Sequence, residues 1–336
     1  MKNMTEENKT PDIQVNNMNV KNNTSAKSGV VFGILCTILC VAIALTSVFS
    51  AFNVIDFLEK PVETEEVEQT KPEVSNIYTQ LVPKYNPTKF PVNMTSNFNQ
   101  LYAANKDTIG WLYIPGTNVN TPVLQTKDNN KYLRHNFYGS NTNYGTAYAD
   151  FRNKSGTLST NTVIFGHNMP SGTHFYDVHR YENIEWYKTH PTIIYTTLYG
   201  SYTYLVSCVF YATGTPKNDG GYFFNYIYPN IGPTSMNGYI QQINQRTIYK
   251  TGIDIRPSDR IITLSTCTHS LDAACGTDID GRLVVVGRML RAGESAEVDT
   301  SKAVANPNYR RPQIWYDKKG KTNPYATYVT WQPTQQ

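Results

Sequence analysis

The stretch IITLSTC, Ile261–Cys267, is a run of β-branched and apolar residues that closes on a thiol. Branching at Cβ favours extended backbone, so the run reads as a strand that carries its sulfur to the strand end. Strand ends and the loops beyond them are where a rigid scaffold presents reactive groups. Two other stretches share the design. VIFGH at 163–167 is an apolar strand that passes through Gly166 and ends on the imidazole of His167, and GRLVVV at 281–286 is a strand that opens with Arg282.

Around these three, short extended runs recur at 110–114, 121–124, 146–149, 162–165, 192–197, 202–212, 260–266 and 283–290, separated by Gly, Pro, Asn and Asp. Eight such runs predict a mainly β domain over 95–290, a closed or nearly closed antiparallel barrel with helices as insertions. Phe98, Leu101 and Tyr102 recur at helical spacing and predict a helix from about Thr95. Further helices are expected over 174–188 and 235–247. The segment 291–336 loses strand periodicity and carries Pro307, Pro312, Pro324 and Pro333 among aromatics such as Trp315, Tyr325 and Trp331. Its pattern fits a strap laid on the domain as well as it fits a free tail.

Upstream of the barrel the composition changes twice. Residues 29–52 are 24 consecutive positions without a charge, enough for a helix across a hydrocarbon core of roughly 30 Å. They are longer than the apolar region of a cleaved signal peptide. The reading is one uncleaved transmembrane helix. Residues 1–28 carry four Lys against Glu6, Glu7 and Asp12, a net +1, whereas 53–75 carry seven acids against Lys60 and Lys71, a net −5. The Lys-bearing side is therefore expected in the cytoplasm, with the barrel outside the cell on a solvated stalk over 53–94.

The whole chain of 336 residues has a formal charge of +4, with 17% charged and 40% hydrophobic residues. That balance excludes a disordered polyelectrolyte and a multi-span membrane protein, and the charge is too small and scattered to suggest nucleic-acid binding. Five cysteines are few for a disulfide framework on an outward-facing domain. Cys36 and Cys40 lie in the span, and Cys208 sits in the apolar run TYLVSCVFYA, where a thiol acts as a small hydrophobe. Cys267 and Cys275 remain. If the three strand ends meet on one rim, thiol, imidazole and guanidinium supply a nucleophile, a proton carrier and an oxyanion stabiliser.

TLSTC around Cys267, FGH around His167 and Arg282 opening the next strand resemble the signature of the sortases, extracytoplasmic cysteine transpeptidases of Gram-positive bacteria. GWLYIPGTNVNTPVLQTKDNNKYLRHNFYG at 110–139, with YADFRN at 148–153, is similar to the class B branch in particular. The resemblance spans about 95–290 and implies an eight-stranded sortase-type barrel, with Cys267 as nucleophile, His167 as general acid/base and Arg282 steadying the substrate carbonyl. It implies cleavage of a C-terminal sorting signal on secreted proteins through a thioacyl-enzyme, and transfer to an amine of peptidoglycan or its lipid-linked precursor. A pilin-polymerising version would use a Lys amine instead, although the Asp-Pro lid of class C enzymes is absent. The connection before the nucleophile strand implies a substrate groove, to which Ser265, Thr266, Leu124, Tyr222 and Tyr226 are assigned.

Fourteen residues separate Cys267 from Arg282, more than the resemblance leads one to expect. His269, two residues after the thiol, is a second candidate proton carrier, and Cys275 a candidate disulfide partner for Cys267. Arg288 shares the face of Arg282 but would stand about 20 Å from it at strand rise, which makes it the weaker oxyanion candidate. No metal is expected: the six His form no HExxH pair and no CxxC is present. Asp150, Asp278 and Asp280 are the acids nearest the rim. No cofactor is expected either, since phosphate-loop and dinucleotide fingerprints are missing. The competing classes are a hydrolytic cysteine peptidase, whose papain-like form places Cys before His in the chain, and a non-enzymatic binding domain.

Overall fold

The computed structural model describes residues 94–156, 158–327 and 330–333. The expected transmembrane helix at 29–52, the stalk, Cys36 and Cys40 lie outside the described residues. Within them no helix is long and apolar enough to cross a membrane.

Eight strands close a barrel: β1 (Thr108–Tyr113), β2 (Asn120–Leu124), β3 (Tyr148–Ala149), β4 (Asn161–Phe165), β5 (Thr192–Thr197), β6 (Ser201–Thr213), β8 (Ile261–Cys267) and β9 (Gly281–Met289). Their order around it is β1-β2-β3-β4-β8-β9-β6-β5. Each overlaps one of the eight extended runs read from the sequence. The barrel is mixed rather than antiparallel, because β2 pairs with β3 and β4 with β8 in parallel. Parallel partners need a crossover connection, and the one from β4 to β8 passes through β5, β6, a further short strand and three helices. Side-chain alternation within a strand carries no information about such a crossover.

The apolar runs of β8 and β9 are continuous because both faces are covered. Ile262, Leu264, Leu283 and Val285 point into the barrel core, while Ile261, Val284 and Val286 join a second cluster outside it. That outer cluster is closed by the helix Pro233–Arg246, which presents Met236, Tyr239 and Ile243 at helical spacing. Proline at the first helical position suits its start.

The other helices are short. In chain order α1 is Asn99–Ala104, α2 Tyr176–His179, α3 Ile184–Thr189, α4 the long helix Pro233–Arg246, α5 His269–Cys275 and α6 Gln313–Lys318. The single helix expected over 174–188 is broken because Asn183 is extended and its side chain caps the next helix by accepting from the Glu185 amide. The C-terminal segment is a strap. Its strand β10 (Val304–Ala305) pairs with β7 (Tyr249–Lys250), the Arg310 amide donates to the Gln245 carbonyl at 2.7 Å, and Trp331 enters the outer cluster.

Candidate active site

The parallel register of β4 and β8 sets Phe165 beside Ser265, and the two chains continue side by side past their last paired residues. The Gly166 amide donates to the Ser265 carbonyl at 3.2 Å, the Thr266 hydroxyl to the Gly166 carbonyl at 2.8 Å, and the Asn168 side-chain amide to the Cys267 carbonyl at 3.1 Å. His167 therefore leaves its strand beside Cys267, although 99 positions separate Asn168 from the thiol residue it binds. On the other side of β8, Cys267 is the cross-strand partner of Arg282 in β9. One register brings together three side chains far apart in the chain.

The longer connection from Cys267 to Arg282 is folded so that its length does not matter. It contains α5, and its ends are tied by the Thr268 amide donating to the Gly281 carbonyl at 2.9 Å. Asp272 accepts from the amides of Ile279 at 3.2 Å and Gly281 at 3.1 Å. A Cβ at Gly281 would sit 2.8 Å from that carboxylate and 2.9 Å from the Thr268 carbonyl, so only glycine fits. Glu182 anchors the start of the connection, accepting from Thr268 at 2.5 Å and Ser270 at 2.7 Å, with His179 at 3.2 Å. Burial alone would raise the Glu182 carboxyl, but the hydrogen bonds from His179, Thr268 and Ser270 outweigh it and hold it below its ordinary value.

Arg282 Nη1 donates to Cys267 Sγ at 2.6 Å, and its Nη2 pairs with Asp280 at 2.5 Å. Burial pushes the Cys267 thiol above its ordinary value; the charge of Arg282 opposes this, and Asp280 and Asp272 add to it. Burial works against the Arg282 charge, but Cys267, Tyr226, Asp280 and Tyr148 together keep the guanidinium more firmly protonated than usual. His167 Nε2 lies 3.0 Å from the Leu133 carbonyl. A carbonyl only accepts, so Nε2 carries the hydrogen there and Nδ1 is left for proton exchange. All three side chains are half-buried and line one cleft of about 330 Å³.

Ser265, Thr266 and Tyr226 line the same cleft, with the Tyr226 hydroxyl 3.0 Å from that of Ser265. Two residues assigned to the groove from sequence do not reach it. Leu124 has no exposed surface and packs with Tyr132 behind Tyr148, which is itself the cleft wall. Tyr222 points the other way, its hydroxyl donating to the Trp331 carbonyl at 2.8 Å. His269 is 78% exposed at the start of α5, paired loosely with Asp272 at 3.9 Å and outside the cleft lining. Cys275 is a free thiol buried with Leu271 and Ile279, so Cys267 has no disulfide partner there. Arg288 is 1% exposed and held by Glu294 and the Asp254 carbonyl.

Sequence reasoning missed the Leu133 carbonyl, the walls Phe165 and Ile227, and the role of Asp280 in holding Arg282. Asp280, two positions before Arg282 in DIDGR, is the one that had a local signal. No metal centre assembles among the described residues, where no three His, Cys, Asp or Glu side chains converge. Asp150 is taken by Arg152 at 2.7 Å and 2.9 Å, and Asp278 accepts from the Asp280 amide.

Comparison with known proteins shows the family. A Sortase domain matches residues 112–290, more than half of the chain and inclusive of all three side chains. The chain belongs to the sortase family. Sortase B of Listeria monocytogenes is 34% identical over 190 residues, 56% of this chain and 72% of that protein. Sortase B of Staphylococcus aureus is 29% identical over 205 residues, 61% of this chain and 79% of that one. Among solved structures, a Staphylococcus aureus sortase B–substrate complex is similar at 28% identity and a TM-score of 0.52, covering 60% of this chain and 88% of that chain. Sortase B from B. anthracis in complex with AAEK1 gives 27% identity and a TM-score of 0.52, covering 65% and 93%. The sortase is of class B.

Proposed function

We propose that this class B sortase is a membrane-anchored cysteine transpeptidase that cleaves the sorting signal of secreted proteins and joins the new carboxyl to an amine of peptidoglycan or its lipid-linked precursor. The observation that carries the reading is the 2.6 Å contact of Arg282 with the Cys267 sulfur, in a cleft that also holds His167.

Because the Cys267 thiol is held above its ordinary value, it starts protonated, and its proton passes to His167 as the sulfur attacks the scissile carbonyl carbon. The S–C bond forms and the carbonyl oxygen becomes an oxyanion, which the Arg282 guanidinium meets with a charged donor. Collapse breaks the C–N bond, and His167 returns the proton to the departing amine. A thioester on Cys267 remains. An incoming amine attacks it, gives a proton to His167, and expels the sulfur as thiolate, which the His167 proton then neutralises. One amide is exchanged for another, so no nucleotide is consumed. Ser265, Thr266 and Tyr226 form the inner wall against which the sorting motif lies.

Residues 29–52 anchor the chain, residues 1–28 lie in the cytoplasm, and the stalk of 53–94 holds the catalytic domain outside. Carbonate washing of membranes checks the anchor, since an anchored chain stays in the pellet. The activity is tested by incubating the full chain with fluorogenic sorting-motif peptides, with and without a glycine peptide. A product enlarged by the added glycine peptide is expected. Hydrolysis alone identifies a peptidase, and enlargement only with a Lys-bearing pilin-like peptide identifies a polymerising enzyme.

A further inference from the structure

We infer that Trp331, 41 residues beyond the end of the matched Sortase domain, is a positioning residue for the outer wall of the acyl-substrate cleft. The inference rests on the proposed reading of that cleft. The wall is the connection between β6 and α4, from which Phe223, Tyr226 and Ile227 line the cleft. This connection has no strand pairing of its own, and its residues 223–226 have no regular secondary structure. Its position must come from side-chain packing and from whatever hydrogen bonds it makes to its neighbours.

The barrel holds the far part of the connection, where the Asn161 side-chain amide donates to the Tyr226 and Tyr228 carbonyls at 3.0 Å and 3.1 Å and Arg152 to the Ile227 carbonyl at 3.0 Å. Around Tyr222 and Phe224, Trp331 supplies both packing and hydrogen bonds. Its backbone is clamped to Tyr222 in both directions: the Trp331 amide donates to the Tyr222 hydroxyl at 2.9 Å, and that hydroxyl donates to the Trp331 carbonyl at 2.8 Å. Its indole Nε1 donates to the Ser235 carbonyl in the first turn of α4 at 2.8 Å. The ring packs edge-on against Phe224 at 5.9 Å and Tyr239 at 5.3 Å. Phe224 in turn touches Tyr226, whose hydroxyl reaches Ser265 two residues from the thiol. Gly238 makes the seat: a Cβ there would lie 2.6 Å from Trp331 Cδ1 and 3.2 Å from Nε1. Trp331 as a whole is 7% exposed. A continuous set of contacts therefore runs from the C-terminal strap to the cleft wall without touching Cys267, His167 or Arg282. A group that shapes only the wall changes how the acyl substrate is held and leaves the reacting atoms alone, which appears in KM rather than kcat.

Two variants of the full chain displace the indole by different routes. Trp331→Ala removes it, and Gly238→Ala pushes it out while giving α4 a better helix former. In both, amide hydrogen exchange over 222–228 should accelerate roughly tenfold or more, while β8 and β9 exchange as in the parent. KM for a sorting-motif peptide should rise on the order of tenfold with kcat within about twofold. Alkylation of Cys267 by iodoacetamide should be unchanged, and Trp331→Phe should recover most of the exchange protection. Unchanged exchange over 222–228 in Trp331→Ala overturns the tether. Equal acceleration in β8 and β9 reduces Trp331 to a residue of general stability, and a faster-exchanging wall with unaltered KM overturns its part in substrate holding. If the parent chain is acylated by no peptide, the proposed activity fails, and the exchange and alkylation measurements still decide the tether.

Discussion

Charges of opposite sign act on the sulfur of Cys267: Arg282 lowers its pKa, and Asp280 and Asp272 raise it. Replacing Asp280 with Asn removes one of the opposing charges, so the thiol should titrate at lower pH and react faster with iodoacetamide at neutral pH. Arg282→Ala should shift the same profile to higher pH and lower the turnover rate by about 10²- to 10³-fold, the usual cost of a lost oxyanion donor. Stopped-flow alkylation across pH reads both. The two histidines separate by placement. His167→Ala should abolish turnover, whereas His269→Ala, at an exposed position outside the cleft, should retain it within about twofold. At this scale the three side chains that meet in the cleft, Cys267, His167 and Arg282, were legible because each sits at or just beyond the end of an apolar strand. Tyr222 and Leu124 were misassigned because an aromatic-rich connection and a two-sided strand do not reveal which way a side chain faces.

The convergence of Cys267, His167 and Arg282 belongs to the pairing of β4, β8 and β9, and its tightest point is Gly166. A Cβ there would lie 2.5 Å from the Phe175 ring, so Gly166→Ala must move either that buried ring or the backbone that carries His167. Turnover should fall together with a loss of about 1–3 kcal/mol in a denaturant melt. Beyond the end of β9, Glu294 is held at about 2 by its hydrogen bonds to the buried Arg288 of that strand. A depressed carboxylate contributes stability above its ordinary value of 4.5, and that contribution disappears as the pH falls toward 2. Melts across this window should therefore show the parent losing more stability than Glu294→Gln; parallel curves would contradict the linkage. All eight barrel strands could be read from short runs rich in β-branched and aromatic residues, but the parallel pairing could not, because it is set by a crossover of some ninety residues. The helix α5 and the two-residue strands β7 and β10 are too short to leave a periodicity.

For the whole molecule, one barrel register brings three sequence motifs to a single cleft, and a strap outside the matched domain packs against Phe224, next to the wall residues Phe223 and Tyr226. The sequence left that strap undecided between an ordered and a free tail, since its anchors, Trp331 on Gly238 and Arg310 on Gln245, are long-range contacts with no local pattern. The central claim is that sulfur, imidazole and guanidinium act together on one amide. Intact-mass spectrometry of the full chain, quenched in acid during incubation with a sorting-motif peptide, tests it most directly. The account predicts an acyl adduct on Cys267 that a glycine peptide discharges, that is absent in Cys267→Ala, and that persists in Cys275→Ala. No adduct on the parent chain, or its equal loss from both cysteine variants, would contradict it.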